Sequence, residues 1–407
     1  MKKILILGAG IYQVPLINTA KRLGIETIVA SIPGNYPGFK LADKVYYENT
    51  TDYEAILKIA REEEIDGIVT AGTDVAVITI GKVCDALGLT GLSEQAAIIA
   101  TDKLLMKEKY EEFGVRTARF RKISFGDENY ADKVSGLNFP LMFKSVDSSG
   151  SRGIVKVETL DEFDEAREVV RNNTRSDYFI IEEFVEGEEF GAQAFVRNGE
   201  VKFILPHGDY VFKGDTGVPV GHFAPYELPS EVIDDVREQL TGAIRAMELD
   251  NCAINADFIL SDNKTYVLEI GGRSGATCLA ELTSIYYNFD YYEKILMTAL
   301  GEEVDFSPVA PASPDRGIPN ASKLLMSEVD GVIKSQVNRN DAGCDASLEK
   351  KSGIYEVQFD YEAGDSVHAF RVGPHRIGHV ITFGQTLDEA VRELDKALSN
   401  IEIKVEQ

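Results

Sequence analysis

The hydrophobic patterning predicts an α/β domain with a doubly wound parallel sheet, then a larger α+β region on a mainly antiparallel sheet and a small α+β tail. Three observations predict this. Strand-like and helix-like periods alternate through the first hundred residues, the rhythm of βαβ units. After Tyr178 the strand patterns lengthen and follow one another with one helix inserted, as antiparallel pairing allows. A proline-rich stretch from Ser307 to Pro319 then separates the tail. At 407 residues the chain exceeds what one core organises, so two or three domains are expected. The pattern divides it at residues 1–98, 99–305 and 306–407.

In order, Lys3–Leu7 reads as a buried strand, Val14–Leu23 as a helix and Glu26–Ala30 as the next strand. A helix over Tyr53–Glu63, a strand over Gly67–Thr70 and a helix over Ala76–Leu87 continue the alternation. The turn Gly8–Gly10 has half of a dinucleotide fingerprint, but Gln13 stands at the third glycine and no acidic residue closes the second strand. A tight turn without NAD is the better reading.

Thr101–Glu112 is a charged amphipathic helix with Thr101 as its expected N-cap and Gly114 as its stop. A helix over Asp161–Asn172 follows. Strands are expected at Phe179–Phe184, Gly191–Arg197, Val201–Leu205, Asn255–Leu260 and Thr265–Ile270, with the inserted helix at Ser230–Met247. Helices Thr277–Tyr287 and Tyr291–Leu300 precede the linker. The tail adds strands near Tyr355–Asp360 and Gly378–Thr382 and a helix over Leu387–Leu398.

A net charge of −25 argues against a nucleic-acid partner, which needs clustered Lys and Arg. It does not argue against a nucleotide, for which a few converging cations suffice. The apolar run after Lys2 and Lys3 is about six residues, shorter than a signal-peptide core, and no stretch approaches a bilayer span. A cytoplasmic protein without membrane contact is the expectation. The cysteines Cys84, Cys252, Cys278 and Cys344 lack metal or redox spacing, and free, buried thiols are expected.

Three clusters carry chemistry. The apolar strand Phe139–Lys144 ends in lysine and leads into Ser148–Gly153, a loop of small residues whose amides can donate to an anion beside the lysine charge. A hairpin with a surface lysine would read the same way. Next, Phe179–Phe190 runs from a strand into a carboxylate-rich turn. There Glu182 and Glu189 can accept hydrogen bonds from a ligand and the Val185 backbone can meet a base edge; a solvated acidic turn is the alternative. Finally, Asn255–Leu260 and Val267–Arg273 read as a hairpin that sets Asp257 and Glu269 among apolar neighbours, with a surface hairpin carrying one ion pair as the alternative. Buried carboxylates need neutralisation, which magnesium provides. Arg273 stands ready to stabilise negative charge.

In this order the clusters resemble the ATP-grasp superfamily of carboxylate–amine ligases over most of the chain. The resemblance implies a Rossmann-like pre-ATP-grasp domain, an ATP-grasp domain with a mobile lid at about residues 116–184, and a C-terminal α+β domain. It implies that Lys103 and Lys144 contact nucleotide phosphates, that Ser149, Gly150 and Ser151 form the phosphate loop, and that Glu182 and Val185 meet adenine. It assigns Glu189 to the ribose, Asp257 and Glu269 to Mg2+ (or Mn2+), and Arg273 to the reacting centre. Relatives usually read Glu-x-Asn where this chain has Glu269 and Gly271, a departure that bears on the second metal position.

The tail around Arg371–Gly384 is similar to the C-terminal domain of L-amino-acid ligases, with related tails in biotin carboxylase and purine-pathway members. The implied activity is ATP-driven activation of a carboxylate as an acyl phosphate and its coupling to an amine, as in amino-acid or peptide ligation. Alternatives are a bicarbonate-activating, carbamoyl-phosphate-type enzyme and a non-catalytic ATP sensor. The region Pro206–Pro225 faces the acyl substrate in the resembling ligases. This makes His207 and His222 candidates for substrate contact, with ordinary loop histidines as the alternative. Dimers are common among these enzymes.

Overall fold

The computed structural model describes residues 1–127, 130–148, 150, 152–212, 217–309, 317–340 and 344–407. Its first sheet holds β1 (Lys3–Leu7), β2 (Glu26–Ser31), β3 (Lys44–Tyr47) and β4 (Gly67–Val69) in the order β3-β2-β1-β4, all parallel. Helices α1 (Val14–Arg22), α2 (Tyr53–Glu63), α3 (Val77–Leu87) and α4 (Glu94–Ile99) accompany it. The chain changes direction across the sheet between β1 and β4, so the loops after these two strands meet at one crevice. In the first, the Gln13 amide fills the turn: Oε1 accepts from Gly10 N at 2.9 Å and Nε2 donates to Ala71 O.

Helix α5 (Lys103–Phe113) links this domain to the next. Its N-cap is Asp102, whose carboxylate accepts from Leu104 N and Leu105 N at 2.8 and 3.1 Å, not Thr101. The Asp102 carboxylate, immediately before the first helical residue, reaches the first free amides of the helix, while the Thr101 hydroxyl instead donates backward to Ala97 O. Gly114 stops α5 in the left-handed conformation.

A second sheet contains β5 (Phe120–Ser124), β6 (Leu141–Lys144), β7 (Ile154–Val157) and β8 (Tyr178–Glu183) in the order β5-β8-β6-β7. Helices α6 (Tyr130–Lys133) and α7 (Phe163–Arg171) lie along the same stretch. Phe143, Phe163 and Phe179 pack α7 onto it.

The largest sheet has eight strands. These are β9 (Glu188–Arg197), β10 (Glu200–Val211), β11 (Pro219–Ala224), β12 (Cys252–Ser261), β13 (Lys264–Gly271), β14 (Asn320–Leu325), β16 (Gly353–Phe359) and β18 (Gly378–Phe383). Their order is β13-β12-β9-β10-β11-β14-β18-β16. The C-terminal α+β domain is therefore joined edge to edge with the nucleotide-binding sheet through the β11–β14 pair. Strands β15 (Gly331–Asn338), β17 (Ser366–Val367) and β19 (Ile401–Glu406) form a small third layer beside α11 (Leu387–Ser399).

Alternation gives the large sheet two faces. Phe190, Ala192, Ala194, Ile254, Ala256 and Phe258 pack against α5 and α8 (Ser230–Ala246). On the other face, Phe195 and Ala253 meet the first domain and α10 (Tyr291–Ala299), behind α9 (Leu279–Tyr287). The rest of that face looks into a cleft. Cys84, Cys252 and Cys278 are buried thiols, whereas Cys344 is exposed. Among the described residues no helix is long and apolar enough to cross a membrane.

Candidate active site

One row of residues crosses the cleft face of the large sheet. Asp257 lies directly opposite Glu269 on β13 and, on its other side, opposite Gly191 on β9. Gly191 lies opposite His207 on β10, and two residues on, Asp209 lies opposite His222 on β11. Residues in direct register point to the same face.

A bulge completes the row. Asp257 pairs with Glu269 but Phe258 pairs with Val267, so Leu268 is an extra residue on β13. It lets Val267 stay in the apolar core while Glu269, two residues away, turns to the cleft.

The two carboxylates are not buried, as the alternation suggested. Glu269 is 34% exposed at its side chain and Asp257 is open to solvent on one side. Asp257 nonetheless sits deep among protein atoms at the cleft floor. Restricted hydration, then the neighbouring charges of Glu269 and Asp209, push its carboxyl up to about 7. A divalent ion removes that repulsion, and hard carboxylate oxygens side by side fit Mg2+.

Cations approach from α5. Lys103 Nζ lies 3.1 Å from Glu269 Oε1 and donates to Ser148 O at 2.7 Å, joining the β13 carboxylate to the loop after β6. One turn on, Lys107 Nζ lies 2.7 Å from Glu182 Oε2, and Lys144 Nζ contacts Glu182 Oε1. Burial alone would raise the Glu182 acid, but the two lysines outweigh it and hold it at about 2. Burial and repulsion from Lys144 lower the Lys107 ammonium against the pull of Glu182. The buried trio carries one net positive charge, which suits a phosphate neighbour.

This corrects the expectation that the Glu182 carboxylate meets a ligand: it is turned inward and clasped by the two lysines. Val185 lies half-buried in the turn just after β8. Glu189 is exposed and shares the cleft face with Gly191. In the loop expected to hold phosphate, Gly150 is left-handed with open space where a Cβ would stand. Ser149 and Ser151 lie outside the described residues.

Arg273 is held from the first domain. Its Nε and Nη2 donate to the two oxygens of Asp74 at 2.8 and 2.7 Å, a bidentate pair. A Cβ on Gly271 would stand 3.0 Å from Asp74 Oδ1, so Asp74 occupies the room that a side chain at this position would take. His207 and His222 lie on strands, not in a loop, and both are buried. Pairing with β9 and β14 draws the flanking aromatic and β-branched residues into the sheet.

Sequence reasoning gave no role to Lys107, Asp74, Asp209 or the Gln193–Asn255 pair, whose side chains bond at 2.6 Å beside Gly271. Lys107 had a signal: it stands four residues after Lys103, on the same helix face. Asp74 had none, since 199 residues separate it from Arg273.

The comparisons agree with this geometry. Residues 137–281 match the ATP-grasp domain family, and residues 345–406 match the L-amino acid ligase C-terminal domain 2. A phosphoribosylglycinamide synthetase from Anaerococcus prevotii is 34% identical, with 100% of each chain covered and a TM-score of 0.84. The chain belongs to the ATP-grasp family.

An L-amino acid ligase from Bacillus licheniformis shares the fold at 18% identity, covering 100% of this chain and 99% of that one, with a TM-score of 0.78. A formate-dependent phosphoribosylglycinamide formyltransferase of Prochlorococcus marinus (strain MIT 9515) is 24% identical over 99% of this chain and 97% of its own length. This ATP-grasp protein is an ATP-dependent carboxylate–amine ligase that uses ATP and Mg2+ and forms carbon–nitrogen bonds.

Proposed function

We propose that this ATP-grasp ligase converts an amino-acid carboxylate to an acyl phosphate and couples it to the amino group of a second small molecule, releasing ADP and phosphate. One juxtaposition carries the reading: Asp257 and Glu269, side by side, face Lys103 and the Lys107–Glu182–Lys144 trio across a single cleft.

In this reading Lys103 and Lys144 orient the phosphates, and the amides around Gly150 close over them. Glu189 and the main chain at Val185 hold the nucleoside. Mg2+, when bound by Asp257 and Glu269, neutralises phosphate charge. Phosphoryl transfer then proceeds by positioning and charge stabilisation, without a nucleophilic side chain. Arg273, fixed by Asp74, steadies the oxyanion as the amine adds. In this reading the reaction is cytoplasmic, where ATP and small-molecule substrates are at hand.

A second reading has formate or glycine as the acid and a phosphorylated ribosylamine or its glycinamide as the amine, favoured by the 34% identical synthetase and the formyltransferase relative. ADP release measured over a matrix of acids (amino acids, formate, bicarbonate) and amines, with mass spectrometry of products, separates them. A dipeptide-type product supports the first reading. A ribonucleotide product supports the second. ADP release driven by bicarbonate without an amine, or no ADP with any pair, defeats both.

A further inference from the structure

The mechanism above leaves two buried imidazoles unused. His207 and His222 are 2% and 3% exposed. Both turn Nδ1 to a single carboxylate oxygen, Asp209 Oδ1, at 3.0 and 2.6 Å. Burial alone would raise the Asp209 acid, but the two imidazoles outweigh it and keep it well below the usual carboxylate range. An ionised carboxylate only accepts, so each Nδ1 donates, and a neutral ring then carries its lone pair on Nε2.

His207 Nε2 is enclosed and has no hydrogen-bond partner. Its direction follows from Gly191. A Cβ on that glycine would stand 2.2 Å from His207 Cε1 and 2.5 Å from Nε2, so the ring lies across the bare backbone of Gly191. The next residue in the row is Asp257. The unpartnered nitrogen thus leans toward the metal-site carboxylate, roughly one strand spacing (about 5 Å) away. One nitrogen of each imidazole and an Asp209 oxygen also lie close enough together to hold a divalent cation. Their two hydrogen bonds already account for that arrangement, and a cation there would leave Nε2 as it is.

We propose that His207 is the base that takes the proton from the attacking amine, with Asp209 as its positioning residue and His222 holding Asp209 in place. The inference rests on the acyl-transfer reading above. The amine nitrogen forms a bond to the acyl carbon, and the carbon–oxygen bond to phosphate breaks with its electron pair leaving on phosphate. The surplus proton on the new amide nitrogen passes to His207 Nε2, and Asp209 balances the imidazolium charge.

The test separates the two half-reactions in the full-length chain. Hydroxylamine in excess is nucleophilic enough to trap an acyl phosphate with water taking the surplus proton, so hydroxamate yield reports acyl phosphate formation without the enzyme's base. The acids offered are the proteinogenic amino acids and formate; the nucleophile is hydroxylamine or an amino-acid panel. His207→Gln should lose about a hundredfold in kcat for amide formation, with KM for the amine changed less than threefold, while hydroxamate yield stays within about threefold of the parent. Asp209→Asn should follow it with a smaller loss, about tenfold. Gly191→Ala, which pushes the ring aside without altering it, should show the same selective loss even if the histidine variant folds poorly.

Equal losses in both assays, or undiminished amide formation, overturn the proposal. So does a stoichiometric metal ion that His207→Gln removes. A parent enzyme that forms no hydroxamate with any acid defeats the ligase reading itself.

Discussion

Glu182 and Asp257 are carboxylates on neighbouring sheets, yet one is held at about 2 and the other pushed up to about 7. The difference lies in counter-charge more than in depth. Glu182 lies between Lys107 and Lys144, with 2% of its side chain exposed. Asp257 has solvent on one side but faces Glu269 and Asp209, and the described structure gives it no direct cation partner. A carboxylate matched by lysines is an internal tie that positions them. A carboxylate beside another carboxylate is repelled by it, and the divalent cation of the proposed function would relieve that repulsion.

Changing the charge at each place tests the contrast. The largest effect is expected at the unmatched pair: Asp257→Asn or Glu269→Gln should lower substrate-driven ADP release by roughly a thousandfold, with a thermal melt no lower than the parent's. At the matched site the outcome should reverse. Glu182→Ala leaves two lysines without their partner, and loss of one member of a buried pair costs about 3–5 kcal/mol, read as a lower denaturant midpoint for the chain or for the β5-β8-β6-β7 sheet.

pH separates the two sites next. The Asp257 acid is raised in the folded state, so its contribution to stability is full below the unfolded value near 4 and falls away as pH rises toward about 7. Glu182 has the opposite sign: its contribution is present above the unfolded value and lost as pH falls toward about 2. Because Mg2+ competes with the Asp257 proton, its apparent affinity should rise by up to about tenfold per pH unit below 7 and level off above. Titration of Mg2+-induced stabilisation between pH 5.5 and 8 checks this; a flat profile would remove Asp257 from the site. The smallest effect is expected at Asp74→Asn, which weakens the bidentate hold on Arg273. A loss of about 1–2 kcal/mol in transition-state stabilisation, roughly tenfold in kcat/KM, is expected, with ATP binding unchanged.

The sequence by itself determined the layered architecture and most of the chemistry. Buried strand runs and amphipathic helices repeat in an order that admits few topologies, and β1, α2 and the Asp257–Glu269 hairpin stand where the pattern put them. Local signals also picked out Lys144 and Arg273, because charge at the end of an apolar strand is visible within a few residues, whereas Lys103 was singled out only by the family resemblance. Which charges neutralise one another was decided only in three dimensions. Lys107 and Glu182 are 75 residues apart, Asp74 reaches Arg273 from another domain, and Leu268 moves Glu269 to the cleft through a bulge that period-two alternation conceals. His207 likewise gained its aim only when β9 brought a glycine beside it. Local pattern follows backbone geometry and burial, which act along a segment. Pairing and acidity depend on distances between segments, and folding alone sets those.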